Sequence, residues 1–394
     1  MKGRKMMQVL SLINPKYIVE AEYDSLSDSG KEAVHTRRST RMLLIAAIIA
    51  AMVFLMGAAV YTRWSHSLQR SYNPSESAKQ QAEKSGLSVM YEQTEPESGS
   101  VLTATDQGIT VSVVQSLVDE RMAQIVLKVV GFTPPLDMGV HPSVWWSDTR
   151  PTLGGDEHFW VSAGADFDNG TLYKDGVWVY EDGTPVEEKK DGYGWKGRYV
   201  KEDGSMELVM RFDFQDTSGT NLGKELQLHF TAFGTMTDLG KADAAFEKVV
   251  EGNWDLKWVL NGSDNTIKAS PNVRLSDNVT LLDVEIGQLT VKAQYKTDTY
   301  WDGWETLDPL SPMLAGVKLK DGTLIRFSPA SEGYQVRASE GYQDQEKLLY
   351  HVDYRAYEGM VDMAQVEALA YYDHYENDAD GRPTVPVYKY VPIS

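Results

Sequence analysis

The sequence predicts a mainly β protein with one membrane-spanning helix and two antiparallel β-sandwiches outside it. Three observations predict this. An uncharged run of 20 residues spans Met42–Tyr61, and from Val101 onward short β-branched and aromatic stretches follow one another, broken by Asp-Gly, Gly-Gly and Asn-Gly. A pattern near Gly108 also returns near Asn278.

The apolar run, "MLLIAAIIAAMVFLMGAAVY", holds neither charge nor proline. At about 1.5 Å per residue its length as a helix matches a hydrocarbon core of roughly 30 Å. A cleaved signal peptide is the competing reading, with Gly57-Ala58-Ala59 imitating a cleavage site, but residues 1–41 are a long leader and the run exceeds a usual signal core. Arg37, Arg38 and Arg41 crowd the amino-terminal flank, with Lys2, Arg4, Lys5, Lys16 and Lys31 behind them. Arg63 and Arg70 are the only basic residues among the sixteen that follow the run. The positive flank places the N-terminus in the cytoplasm and the C-terminus outside the cell membrane.

Charge narrows the function. Residues 1–41 carry +3, and removing this from the total of −19 leaves −22 for residues 42–394. An acidic exterior repels phosphates and suits neither nucleic acid nor a polybasic membrane-surface role. The chain has no cysteine, so disulfides, zinc ribbons and thiol nucleophiles are excluded. Stability must come from packed cores, and the exported length suggests two of them.

Residues 62–100 are polar and rich in Ser, Glu and Gln, which reads as a juxtamembrane tether. Then come "GITVSVVQSLV", "AQIVLKVVGF", "SMELVMRFDF", "ELQLHFTAF" and "WDLKWVL", the period-two grammar of strands. Helices of 10–15 residues do not recur between them, which favours sandwiches over βαβ units. The best helical candidate is "KADAAFEKVV", Lys241–Val250. "GITVSVV" at 108–114 and "NVTLLDV" at 278–284 share a pattern, each followed by a strand with an internal lysine, "IVLKVV" and "LTVKAQY", the second pair being six residues tighter. Each copy opens a strand series, so the domains run 101–264 and 265–394.

Catalytic signatures are missing. His158 and His374 lack the i,i+4 partner of zinc hydrolases, and neither a G-x-S-x-G elbow nor a phosphate loop occurs. "ENDADG", 376–381, imitates half of an EF-hand loop, but Val387 stands where the bidentate glutamate belongs. No reaction, metal or cofactor is expected. Aromatic clusters are the more promising candidates: Trp145, Trp146, Trp195, Trp301 and Trp304 sit in or beside turn-rich segments. Two readings stay open for them, an outer contact surface for sugar or protein, or plugs at the sandwich ends.

A cytosolic "INPKYIVEAEYD", a basic flank, one span, and "TATDQGITVSVVQSLVDERMAQIVLKV" together resemble the DUF4179 family of Gram-positive bacterial membrane proteins. The likeness is most specific over Asp106–Val129 and over Asn14–Glu22, where the family's Lys-Tyr-Ile-x-Glu-Ala core is matched by Lys16, Tyr17, Ile18, Glu20 and Ala21. It covers residues 1 to about 264, and the remainder resembles the immunoglobulin-like domain that often follows. "EDGTPVEEKKDG" and "KEDGS" depart from it as extra charged hairpins. The resemblance implies two immunoglobulin-like sandwiches, an anti-sigma factor, and an extracytoplasmic-function sigma factor as partner. The extracytoplasmic ligand is unknown. Leu10, Ile13, Tyr17 and Ala21 fall at helical spacings of three and four and would form one apolar stripe, beside Ile18, opposite Lys16, Glu20 and Asp24. So short a helix is marginal alone, and a partner's groove would order it. A disordered stub with a chance pattern is the alternative.

Carboxylates gathered in turns, such as Asp182, Glu187, Glu188 and Asp191, make salt dependence a direct test. Diffuse repulsion requires the melting temperature to rise smoothly with sodium chloride, calcium acting through ionic strength. A saturable calcium transition at constant ionic strength would refute this and direct mutation to Asp378 and Asp380.

Overall fold

The structure is a computed structural model describing residues 64–91, 99–146, 150–174, 177–187, 195–214, 221–237, 245–298, 314–327, 339–344, 349–355, 359–377 and 383–393. The run Met42–Tyr61, the segment bearing Leu10, Ile13, Tyr17, Ile18 and Ala21, the rings Trp301 and Trp304, and Asp378 to Gly381 lie outside the described residues. No helix among the described residues is long and apolar enough to cross a membrane.

The described chain is mainly β and all of its strand pairing is antiparallel apart from one isolated bridge. Alternation drives this: in β10 (Met206–Phe214), Met206, Leu208, Met210 and Phe212 point inward while Glu207, Val209 and Arg211 stay partly wet. One sheet of the first half runs β1 (Ser88–Met90), β3 (Ile109–Val118), β4 (Met122–Val130), β10, β7 (Trp160–Phe167), with β2 (Thr103–Asp106) also on β3. The facing sheet runs β12 (Phe246–Leu260), β11 (Lys224–Thr237), β5 (Val140–Trp145), with β6 (Thr152–Leu153) on β11. Between them Phe230, Phe233, Trp254 and Trp258 meet Ile125, Leu208 and Phe212 in one core. Both indoles are hydrogen-bonded, Trp254 Nε1 to the Ile109 carbonyl at 2.9 Å and Trp258 Nε1 to the Tyr91 hydroxyl at 3.0 Å, which removes the penalty of burying their N–H groups.

The second half repeats this order strand for strand. Its first sheet runs β13 (Ile267–Ala269), β15 (Val279–Ile286), β16 (Thr290–Thr297), β20 (Leu349–Arg355), β19 (Ser339–Asp344), with β14 (Val273–Ser276) on β15. Its second runs β22 (Pro383–Pro392), β21 (Val366–Asn377), β17 (Leu314–Leu319), with β18 (Leu324–Arg326) beyond β17. The repeat seen near Gly108 and Asn278 is therefore a repeat of topology. Its spacing differs from the sequence expectation: β3 has 10 residues and β15 has 8, so the hairpin shortens by two residues rather than six. The lysines that suggested six lie at opposite ends of their strands, Lys128 near the end of β4 and Lys292 near the start of β16.

Two expectations are corrected. The helical candidate Lys241–Val250 is extended from Phe246 onward, where it begins β12; Phe246 pairs with Met236 and Val250 with Phe233, so cross-strand pairing overrides a modest helical propensity. The polar stretch expected as an open tether is folded from Trp64 to Tyr91. It forms α1 (His66–Tyr72), α2 (Glu76–Ser85) and β1. Asn73 in the left-handed region and Pro74 end α1, the Ser75 side chain accepts from Ala78 N at 3.1 Å, and Gly86 at φ 79 closes α2.

Trp64, Leu68, Tyr72, Ala78, Ala82 and Leu87 are buried in a core shared with Leu117, Met122 and Val126 of the first half and with Val284, Val291, Leu314 and Leu369 of the second. Polar bonds fix the same segment from both sides. Ser65 N donates to Gln115 Oε1 at 2.8 Å, while Gln288 Nε2 donates to the Ala78 carbonyl at 3.1 Å and Gln81 Nε2 to Asp362 Oδ1 at 2.7 Å.

The equivalent turns of the two halves also touch. Asp119, buried in the β3–β4 turn, accepts from Arg121 N at 2.8 Å and Met122 N at 2.9 Å with Oδ1, and from Thr290 Oγ1, at the start of β16, at 2.7 Å with Oδ2. Burial raises its carboxyl above the usual range, against these three hydrogen bonds. The sign follows: its stabilising contribution is present below the ordinary carboxylate pKa and is lost as pH rises through the raised folded value.

Two substitutions test this. Asp119→Asn keeps an acceptor for both amides and offers its N–H group to Thr290, so at neutral pH it should stabilise by on the order of 1 kcal/mol, the gain shrinking in acid. Asp119→Ala orphans two amides and should cost about 2–4 kcal/mol. Chemical denaturation of both variants across pH checks this; a gain for Asn that does not fall in acid would refute the linkage.

Candidate functional site

The one large departure from the repeat identifies the candidate site. In the second half β19 and β20 are joined by residues 345–348; in the first, residues 168–205 intervene between β7 and β10. This insertion carries the two-stranded hairpin β8 (Thr171–Lys174) and β9 (Val177–Tyr180), followed by turns at 181–187 and 195–205. The two sequence stretches that departed from the family resemblance fall in it.

The insertion grips α1. Arg70, in the last turn of that helix, pairs with Asp168 and reaches Glu181 at 3.0 Å; Lys201 Nζ reaches Asp168 at 2.5 Å. Only 7% of the Arg70 side chain and 5% of that of Asp168 are exposed, so the contact lies in a low-dielectric setting. At the other end of α1, Glu207 of β10 accepts from Ser67 N at 2.8 Å and His66 N at 3.2 Å, a carboxylate capping the positive end of the helix where Ser65 provides no side-chain cap. Burial lowers the pKa of Arg70 and of Lys201, opposed chiefly by Glu181 and Glu207 respectively. An arginine so lowered stays charged at neutral pH.

Beneath the hairpin lies an aromatic nest. His141 Nδ1 and the Tyr199 hydroxyl are 2.5 Å apart, the Trp195 ring lies 4.5 Å from the His141 ring, the Arg198 guanidinium sits 3.8 Å above the Tyr180 ring, and the Tyr180 hydroxyl donates to the Lys196 carbonyl. Burial, with Asp166 and Tyr180 nearby, raises the Tyr199 phenol well above its ordinary value, so it is neutral. His141 and Tyr199 are both buried. The pair seals the root of the insertion and offers no surface to a substrate. The cleft beside Asp119 is no better suited: its volume of about 20 Å³ has room for about one water.

The sequence-predicted rings are scattered. Trp145 stacks on Phe246 at 5.2 Å, Trp146 leans on Trp160 at 6.3 Å, and Trp195 packs on His141; all three are half-buried and they do not form one platform. Trp178, on β9, is 50% exposed and was missed. It stands in "DGVWVYEDG", a tryptophan between two Asp-Gly turns, and that turn spacing was the available signal. His158 and His374 are exposed and sit beside carboxylates, Asp156 and Asp373. Among the described residues no group of three or more His, Asp or Glu is placed to hold a metal ion.

No family profile matches the chain and no curated protein matches it. Two solved structures align over most of its length. A conserved domain protein from Bacillus anthracis is 10% identical, with 78% of this chain and 94% of that chain covered and a TM-score of 0.37. The N-terminal periplasmic domain of ScsB from Proteus mirabilis is 10% identical, with 79% and 100% covered and a TM-score of 0.19. Neither similarity is close enough to carry an argument about this chain.

Removing Arg70 leaves Asp168 with Lys201 and Glu181 with no cation from α1. Arg70→Ala should therefore destabilise by about 3 kcal/mol and loosen α1 first. In limited trypsinolysis the wild type should resist cutting at buried Lys79, and the variant should be cut there and at Lys84 before any strand is lost. Equal resistance in both proteins would refute the gripping role.

Proposed function

We propose that the chain is a single-pass membrane regulator of the anti-sigma type, in which two immunoglobulin-like sandwiches outside the cell sense an envelope signal and the cytoplasmic segment holds an extracytoplasmic-function sigma factor. In this reading Met42–Tyr61 crosses the membrane and the stripe Leu10, Ile13, Tyr17, Ile18 and Ala21 fills a groove of the sigma factor. The observation that carries it is the packing of residues 64–91. A chain leaving the membrane at Tyr61 meets its first buried residue at Trp64, and that segment is bonded to both halves. A change in either half therefore moves the same short helix.

This alters the release step. A tether open from Thr62 to Ser100 would be a ready protease substrate, whereas Trp64 to Tyr91 is packed. Release in this reading requires α1 to come off Asp168, Glu181 and Glu207 first, and the aromatic insertion is where an outside signal would loosen it.

A structural or carbohydrate-binding envelope module remains the second reading, favoured by the half-exposed Trp178. The two readings separate in one experiment. Full-length protein extracted from membranes in mild detergent should retain a sigma factor, and Tyr17→Asp, which puts a charge on the stripe, should weaken retention roughly tenfold or more, since burying one large apolar side chain is worth about 1.5–3 kcal/mol. Failure of the intact protein to retain any sigma factor would sink the regulatory reading.

A further inference from the structure

We propose that the tip of the β8–β9 hairpin seats in the headgroup layer of the membrane, making the insertion a second membrane contact. The inference rests on the reading that Met42–Tyr61 spans that membrane.

The hairpin is anchored at its root and bare at its tip. Val179 and Tyr180 are buried, whereas Val177 is 55% and Trp178 50% exposed. Neighbouring residues of a strand face opposite ways, so both faces of the tip present apolar surface to solvent. An isolated two-stranded hairpin is marginal in water. The equivalent position of the second half has no hairpin, so the paired sheets do not need one.

Its place on the molecule identifies the occupant. Glu181, the residue after β9, pairs with Arg70 and lies 3.9 Å from His66, the first residue of α1. The root of the hairpin thus touches the first helix of the described body. Tyr61 and Trp64 are three residues apart in the chain, which limits their separation to about 11 Å. Trp178 is three residues from Glu181, about 10 Å along a strand. A tryptophan with an apolar body and a polar N–H group belongs in a headgroup layer, beside an exposed valine. Asp175, Glu181 and Asp182 flank the tip, so the contact is apolar in origin and anionic lipid weakens it. A lipid surface fits these facts better than a second copy, for which no complementary patch adjoins the tip among the described residues.

The absence of cysteine from the chain makes the test direct. Val177→Cys, and as a reference Lys268→Cys at an exposed position of β13, are labelled with an environment-sensitive fluorophore. Each full-length chain is then reconstituted in phosphatidylcholine vesicles with and without brominated acyl chains. The label at 177 should shift to the blue and be quenched several-fold more than that at 268. The response should fall when phosphatidylglycerol replaces part of the phosphatidylcholine, and should vanish with an added Trp178→Asp. An unquenched label at 177, in protein that resists alkaline washing from the vesicles, overturns the hairpin contact and leaves the span intact. Protein washed off by alkali overturns the span and the hairpin contact together. A blue shift that grows with protein density and ignores brominated lipid identifies a second copy as the occupant, and overturns it as well.

Discussion

Residues 64–91 must bury six apolar side chains that neither half could cover alone, and the rest of the structure is arranged around that requirement. Trp64, Leu68 and Tyr72 of the α1 region, Ala78 and Ala82 of α2, and Leu87 lie in one core with side chains from both sheet pairs. Each large side chain so buried is worth about 1.5–3 kcal/mol. The polar groups brought in with them are paired, Ser65 N with Gln115, Gln81 with Asp362, and the Ala78 carbonyl with Gln288. With the Asp119–Thr290 bond between equivalent turns, these contacts make the two halves one cooperative body, where a flexible linker would have left two independent ones.

Repetition explains the scaffold, and asymmetry explains where function is sought. The same strand order in both halves means that one architecture was sufficient twice. What only the first half has, residues 168–205, costs ordered backbone without enlarging the shared core, and it is the part that holds Arg70 and exposes Val177 and Trp178. Buried charge of this kind is a poor source of net stability, because desolvation offsets most of the attraction. Its better-attested use is to specify one arrangement, and here that arrangement is α1 against the insertion.

Reading the sequence by average polarity concealed this. The stretch after Tyr61 is polar overall, yet Trp64, Leu68 and Tyr72 recur every four residues, and Ser75 with Gly86 marks both ends of α2. That stripe and those caps were legible as an amphipathic helix pair. The tryptophans were misjudged for a related reason. Turn-rich flanks say that a ring lies near a loop, but not whether a phenylalanine ten strands' length away in sequence, as Phe246 is for Trp145, returns to cover it.

Local pattern by itself determined the mainly β class, the strand runs and the recurrence near Gly108 and Asn278, because alternation and turn chemistry act between neighbours. It also carried the charge balance and the absence of thiols, which depend on composition alone. Only the tertiary structure decided that the polar stretch is an internal wedge, that Lys241–Val250 continues as strand from Phe246, and that Trp178 rather than Trp145 is bare. Those outcomes rest on partners far away in the chain: Glu207 on Ser67, Thr290 on Asp119, Met236 on Phe246. A residue's own neighbours carry no record of such partners, since burial is set by which surfaces the whole chain brings together.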